Sequence, residues 1–239
     1  MCGRYVSPEQ AAIEREWHVG RGNSNPFRRR FNVQPSTDVP ILRLHPRSRE
    51  LELSLARWGL VPAWWKEAKP PKFTFNARLE EAATKSMWRQ PLRNSRCLLP
   101  AEGWYEWRAI ERVDPATGEL KTFKQPHFIR RRDAGLFCFA GLLSVSPGED
   151  APRLSCAILT AASRGSTAEV HERMPVVLDR GWHAQWLDPQ FADADEVVAI
   201  AREHALYEEF EHYPVRTLVN SSRAEGEELV EPLEGTNLL

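Results

Sequence analysis

The chain has 239 residues, 42% of them hydrophobic, nine Trp and a formal net charge of −1. That composition excludes a disordered or fibrous chain and allows a sizeable core. No apolar run reaches the ~18–20 residues of a membrane helix, and no hydrophobic signal segment opens the chain, so a cytoplasmic protein is expected.

Charge is unevenly divided. Residues 1–100 hold 18 Lys+Arg against 9 Asp+Glu, net +9, and residues 101–239 hold the other 14 against 24, net −10. The basic half carries Arg28, Arg29, Arg30, Arg43, Arg47, Arg49 and Arg57 among Trp and Phe. This suits a solvated face, or single-stranded nucleic acid, whose phosphates need cations and whose bases need stacking platforms.

In chain order, "SPEQAAIEREW" predicts a short helix with Ser7 as N-cap, Pro8 in the first turn and Gln10 in the capping-box position. "RGNSNPFRRRFNVQPSTD" reads as loop, broken by Gly, Asn and Pro. "VPILRL" and "LELSLARW" alternate apolar with polar around "HPRSRE", a hairpin. "ARLEEAATKSMW" predicts a helix with Leu79, Ala82, Ala83 and Met87 on one side. Strand-like segments follow: "RCLLP", "GWYEWRA", "TFKQPHFIRR", "GLFCFAGLLSV" and "RLSCAILTAA", with "DPATG" a turn. "GWHAQWLDP" and "ADADEVVAIAREHA" predict late helices, "YPVRTLVN" a returning strand, and the acidic stretch from about 221 a loosely packed tail. Many short strands with few peripheral helices give an α+β class with a largely antiparallel sheet. No linker or repeat divides the chain, so one domain over 1–239 is expected.

The residues that could carry chemistry lack the usual frames. No phosphate-cradling glycine loop and no nucleophile elbow is present. The seven His are scattered, and no zinc-type spacing appears, so no metal is assigned. Cys97, Cys138 and Cys156 lie in apolar segments and read as reduced core thiols. Cys2 is different. If Met1 is trimmed, it carries a free α-amine beside its thiol, a pair of nucleophiles that no internal cysteine can offer.

Three other stretches stand out, each with a plain structural alternative. In "PAWWKEAKPPKFTFNARLEE", Trp64 and Trp65 suit a core edge or a base wedge, and Asn76 suits a helix N-cap. In "PAEGWYEW", Glu106 suits a solvent-facing strand position or acid–base work. In "TAASRGSTAEVHERMPVVL", His171 suits a loop or helix end, or a proton-transfer role, next to Arg173.

Taken together and in order, "MCGRY", "FNVQPST", "RWGLVPAWW", "FNARLEEAATKSMW", "RCLLPAEGWYEW", "FAGLL", "LTAAS" and "VHERMPVVL" resemble the SRAP (SOS response-associated peptidase) family of abasic-site-processing proteins. The resemblance runs through nearly the whole chain and implies a curved, barrel-like β core with peripheral helices. It implies covalent attachment of Cys2, after Met1 removal, to the abasic-site aldehyde in single-stranded DNA as a thiazolidine that shields the site from strand cleavage, without cofactor. It also implies an association with DNA damage and the SOS response, cytoplasmic or on the nucleoid. By resemblance, Glu106 shuttles protons, His171 helps open the sugar ring, and Asn76 orients the nucleophile. Arg4, Arg78 and Arg173 fall at phosphate contacts, and Trp64 and Trp65 at the aromatic wedge, with Thr160 and Trp107 beside matched motifs. Lys85-Ser86 stands where a DNA-contacting arginine is expected.

The chemistry is coherent by itself. An α-amine with a pKa of ~7.7–8.0 is partly neutral at pH 7, unlike lysine at ~10.4. It attacks the ring-opened aldehyde to form an imine, and the nearby thiol closes a five-membered ring at high effective molarity. Two rivals remain: a cysteine peptidase with Cys2 as N-terminal nucleophile, and a non-catalytic single-strand binder. A monomer is the expected state.

Overall fold

The structure is a computed structural model and describes residues 2–19, 26–114, 117–147 and 152–233. The strands are β1 (Tyr5–Ser7), β2 (Arg30–Val33), β3 (Asp38–Leu44), β4 (Leu51–Trp58), β5 (Asn76–Arg78), β6 (Arg96–Ala101), β7 (Gly103–Val113), β8 (Leu120–Arg131), β9 (Phe137–Ser146), β10 (Arg153–Ala162), β11 (Arg173–Pro175) and β12 (Phe210–Pro214). The helices are α1 (Gln10–Trp17), α2 (Leu79–Ala82), α3 (Ser86–Asn94), α4 (His183–Leu187) and α5 (Ala194–Glu203). No described helix is long and apolar enough to cross a membrane.

Strands β10, β4, β3, β6 and β9 are paired in that order, and β10 pairs β9 again, so these five close a barrel. Closure removes the exposed edges an open sheet would carry. The β3–β4 hairpin forms as its alternation predicts, with Asp38 opposite Arg57 and Leu44 opposite Leu51. A second sheet, β12-β8-β7-β1-β2, packs on the barrel.

Alternating residues of the barrel strands divide the core. Ile41, Trp58, Leu99, Phe139 and Ile158 form one buried cluster with Cys2 and with Tyr5, Trp104 and Phe210 of the second sheet. The opposite set, including Leu42, Leu98, Ala140 and Leu159, packs against the helices through Leu92, Trp186 and Val197. Cys97, Cys138 and Cys156 are buried and free, as read from their apolar settings.

Several local expectations are corrected. The first helix starts at Gln10 with Glu9 as N-cap and no side-chain cap bond, while Ser7 ends β1. Part of the expected loop at 21–38 is β2, drawn into extended form by antiparallel pairing with β1. The single helix expected over 77–88 is β5 followed by α2 and α3, because β10 recruits residues 76–78 as a parallel edge strand. After β12 the chain turns into a 3-10 helix, Thr217–Asn220, rather than continuing as strand. The tail is not loose in its described part: Leu229 is fully buried, Glu225 accepts from the Phe31 amide, and Leu233 donates to the Pro214 carbonyl.

Candidate functional site

The first residues of the chain are fixed by β1. Tyr5 is fully buried and meets Trp58 and Phe139 edge-on at 5.3 and 5.6 Å, arrangements that aromatic quadrupoles favour. Strand β1 lies against β7, with Val6 opposite Gly103. A side chain at Gly103 would place its Cβ 2.6 Å from the Ile129 carbonyl oxygen, so only glycine lets the second sheet close there. The pairing extends one residue beyond the strand, where the Tyr105 N–H donates to the Arg4 carbonyl at 3.0 Å.

Cys2 therefore sits at a defined place, completely buried. Asn76 donates its Nδ2 to the Cys2 carbonyl at 2.7 Å, and its Oδ1 is buried with no partner among the described residues. Asn76 is not the helix cap that its sequence also suited: that position is Arg78. Burial pushes the Cys2 thiol well above its ordinary range, the Glu106 carboxylate adds to the effect, and the Arg4 N–H opposes it. The sulfur is held as a thiol.

Glu106 does not face solvent. It is 2% exposed, and burial pushes its carboxyl up to about 7. A carboxyl with a pKa near the working pH can both take and give a proton.

Four of the other predicted residues, Thr160, Arg78, Arg173 and His171, gather around the C-terminal end of β10. Thr160 is flanked by Arg78 of β5 and Pro175 of β11. Arg173 holds Glu80 in a two-pronged ion pair, 2.7 and 2.9 Å, and donates to the Thr160 carbonyl at 2.7 Å. Thr160 is completely buried and donates to the Ala77 carbonyl at 3.5 Å. His171 is half-buried. Its Nδ1 lies 2.9 Å from the Arg173 amide nitrogen and 3.1 Å from the Arg173 carbonyl. Acceptance of the amide proton assigns the neutral ring an Nε2–H, and burial lowers its pKa.

Arg4 reaches Asn32 Oδ1 at 2.8 Å and the Val219 carbonyl at 2.9 Å. Trp107 donates its indole N–H to Asn220 Oδ1 at 2.7 Å. Trp64 is 55% exposed and tilted against Trp65 at 5.9 Å, and Trp65 is pinned by an indole bond to the Lys69 carbonyl. Lys85 pairs with Glu81 at 2.6 Å. Met1, whose removal the sequence reading requires, lies outside the described residues.

The sequence missed several groups. Phe73 is 84% exposed in the left-handed region, φ +58°, on the same loop as the two tryptophans. A non-glycine residue there is uncommon, and nothing in "KPPKFTFN" signals it. Glu80, read as a plain helix residue, neutralises Arg173. His127 and His212 touch through their Nδ1 atoms at 3.1 Å, a contact between distant strands that no local pattern announces. Among the described residues no group of His, Cys, Asp and Glu is arranged to hold a metal ion.

A closed barrel capped by a sheet whose first strand delivers a buried cysteine to an asparagine and a carboxyl defines a protein organised around its own N-terminus. The model of the SOS response associated peptidase (SRAP) family matches residues 1–222, and the chain belongs to that family. It is similar to the abasic site processing protein YoqW of Bacillus subtilis, with 33% identity over 97% of this chain and 99% of that one. It is also similar to the abasic site processing protein YedK of Escherichia coli, with 32% identity over 85% of each. Among solved structures, a protein from Bacteroides thetaiotaomicron shares the fold at TM-score 0.76 and 20% identity, covering 98% of this chain and all of that one. A phage-related protein from Bordetella bronchiseptica reaches TM-score 0.67 at 28% identity, covering 90% and 94%.

Proposed function

We propose that this protein captures abasic sites in single-stranded DNA by forming a thiazolidine between Cys2, freed of Met1, and the ring-opened sugar aldehyde. The observation that carries the reading is the convergence on Cys2: Asn76 on its carbonyl, and the Glu106 carboxyl close enough to shift its thiol. The relatives' names, all abasic site processing proteins, support the substrate class.

The steps follow from the groups present. Glu106 takes a proton from the α-ammonium, and the amine attacks the aldehyde carbon. Glu106 then returns that proton to the carbinolamine hydroxyl, which leaves as water and gives the protonated imine. The Cys2 thiol then adds to that carbon, forming C–S, and its proton passes to the Glu106 carboxylate, leaving a neutral thiazolidine nitrogen. Asn76 Oδ1 is available to accept from the carbinolamine hydroxyl, and the His171 Nε2–H to donate to the sugar oxygen during ring opening. Arg4, Arg78 and Arg173 supply positive charge for flanking phosphates, and Trp64 and Trp65 stack on bases next to the lesion. A raised thiol pKa suits this order, amine first and thiol second. It opposes a peptidase mechanism, which needs the thiolate.

The test is intact mass after mixing the protein lacking Met1 with a single-stranded oligonucleotide bearing one abasic site. The expected product is one protein plus one DNA minus one water, absent with Cys2→Ala. Binding without any covalent species would overturn the reading.

A further inference from the structure

We propose that His127 and His212 form the proton path serving Glu106, with Glu169 at its solvent end; the inference rests on the capture reading above. Glu106 and His127 are direct partners in the β7–β8 register, and His212 lies opposite Ile129 in the β12–β8 register. Directly paired residues project from the same face with Cβ atoms about 4.5–5.5 Å apart, and His127 and Ile129, two apart, share that face. Trp104, Ile129 and Phe210 mark it as the face turned to the cluster that contains Cys2. Glu106, His127 and His212 therefore stand side by side on the surface that faces the nucleophile.

Burial makes such a path necessary. Glu106 is 2% exposed and His127 6% exposed, and bound DNA would cover the open side of the site. Capture that starts from the α-ammonium forms a neutral thiazolidine nitrogen, so one proton per event must leave. The surplus proton is the one the thiol gives Glu106 at ring closure; it passes on to His127 Nε2, out through Nδ1 to His212 Nδ1, and from His212 Nε2 to Glu169 and water. No electrons move, and each imidazole accepts on one nitrogen as it releases from the other. The His127 Nδ1 to His212 Nδ1 distance of 3.1 Å has room for one proton only, so the pair is built as donor and acceptor. His212 Nε2 is 3.6 Å from Glu169 Oε2, and Glu169 is held by a 3-10 helix (Gly165–Glu169) whose Ser166 hydroxyl donates to the Phe210 carbonyl.

The charges around the path are identifiable. Arg108 on β7 and His212 disfavour protonated His127 beyond the effect of burial, which keeps the ring neutral between transfers. Glu172, just before β11, and Lys124 on β8 act on His171, at the other side of the site.

The experiment is single-turnover capture of an abasic oligonucleotide between pH 5.5 and 8.5, followed by intact mass, with melting curves on every protein. His212→Ala, at the outer part of the path, is expected to slow capture at least tenfold at pH 7, with free imidazole restoring the rate in proportion to its concentration. His127→Phe keeps an aromatic ring in the core and is expected to slow capture without rescue. Glu169→Gln, at an exposed position, is expected to shift the pH profile by a few-fold in rate. A structural role for the pair would change melting but would give no imidazole rescue. Rates and profiles within twofold of wild type in His212→Ala and Glu169→Gln overturn the path while leaving capture intact. Absence of adduct from the wild-type protein overturns the capture reading itself.

Discussion

Glu106 and His127 are neighbours whose buried environments act in opposite directions on stability. Burial raises the Glu106 carboxyl to about 7, so the folded chain holds a proton that the unfolded chain loses near 4.3. Its contribution is fully present below about pH 4 and is lost as pH rises through 7. Burial lowers His127 to about 4, against ~6.5 unfolded. Its contribution is present above pH 6.5 and is lost as pH falls through 4. Over that window the two contributions run in opposite directions and offset each other. Separating them exposes each slope. Urea unfolding of Glu106→Gln is expected to show about 3–4 kcal/mol more stability than wild type at pH 8 and no gain at pH 4, since ~2.5 pKa units correspond to about that energy. The same variant is expected to lose capture, because the amide cannot shuttle a proton. A gain equal at both pH values would mean that Glu106 is not buried as an ionisable group.

At the scale of elements, Arg96 at the start of β6 ties the barrel to the helices around it. It is 5% exposed, and its guanidinium donates to the carbonyls of Leu92, Arg93, Trp186, Asp188 and Phe191. The first two are the uncovered C-terminal carbonyls of α3, where a cation also meets the negative end of the helix dipole. The fork shape of arginine is what reaches five acceptors. Arg96→Met strands buried carbonyls at about 1–3 kcal/mol each, so a loss of at least about 4 kcal/mol is expected. That corresponds to a fall in Tm of roughly 8–15 °C for a chain of this size. Arg96→Lys, with three donors, is expected to recover part of it, and an unchanged Tm for both would remove the element-tying role. The hairpin β3–β4 and the long strands β7 to β10 were legible in the sequence, because alternation and short turns are local signals. Strand β5 was not, since "NARLEEAA" is helix-favouring and only the edge of β10 makes residues 76–78 extended. The site divides in the same way. Cys2, Asn76, Glu106 and His171 were singled out as candidates through ordered motifs, whereas the His127–His212 contact, 85 residues apart, exists only once β8 and β12 are paired.

Across the whole molecule the near-zero net charge conceals a polarity, net +9 in the first hundred residues and −10 beyond them, which sequence position alone could not convert into a surface. The structure sorts the arginines by how much charge they have left to offer. Arg78 is exposed at the end of β5 and makes no ion pair among the described residues. Arg173 is already neutralised by two bonds to Glu80, and its Nε is buried with no partner among the described residues. Each cation that displaces a counterion from single-stranded DNA adds about −0.7 to the slope of log K against log salt. Binding of an oligonucleotide without an abasic site, measured with Cys2→Ala to prevent capture, therefore separates the two. Arg78→Ala is expected to flatten the slope by about 0.7. Arg173→Ala, which also releases the Glu80 carboxylate at the same end of β10, is expected to weaken binding at low salt more than the loss of one phosphate contact would. Glu80→Gln is then expected to tighten it, because Arg173 regains its charge without leaving its seat on the Thr160 carbonyl. If Glu80→Gln leaves affinity unchanged, Arg173 acts on Thr160 and the backbone alone, and the phosphates are held by Arg4 and Arg78.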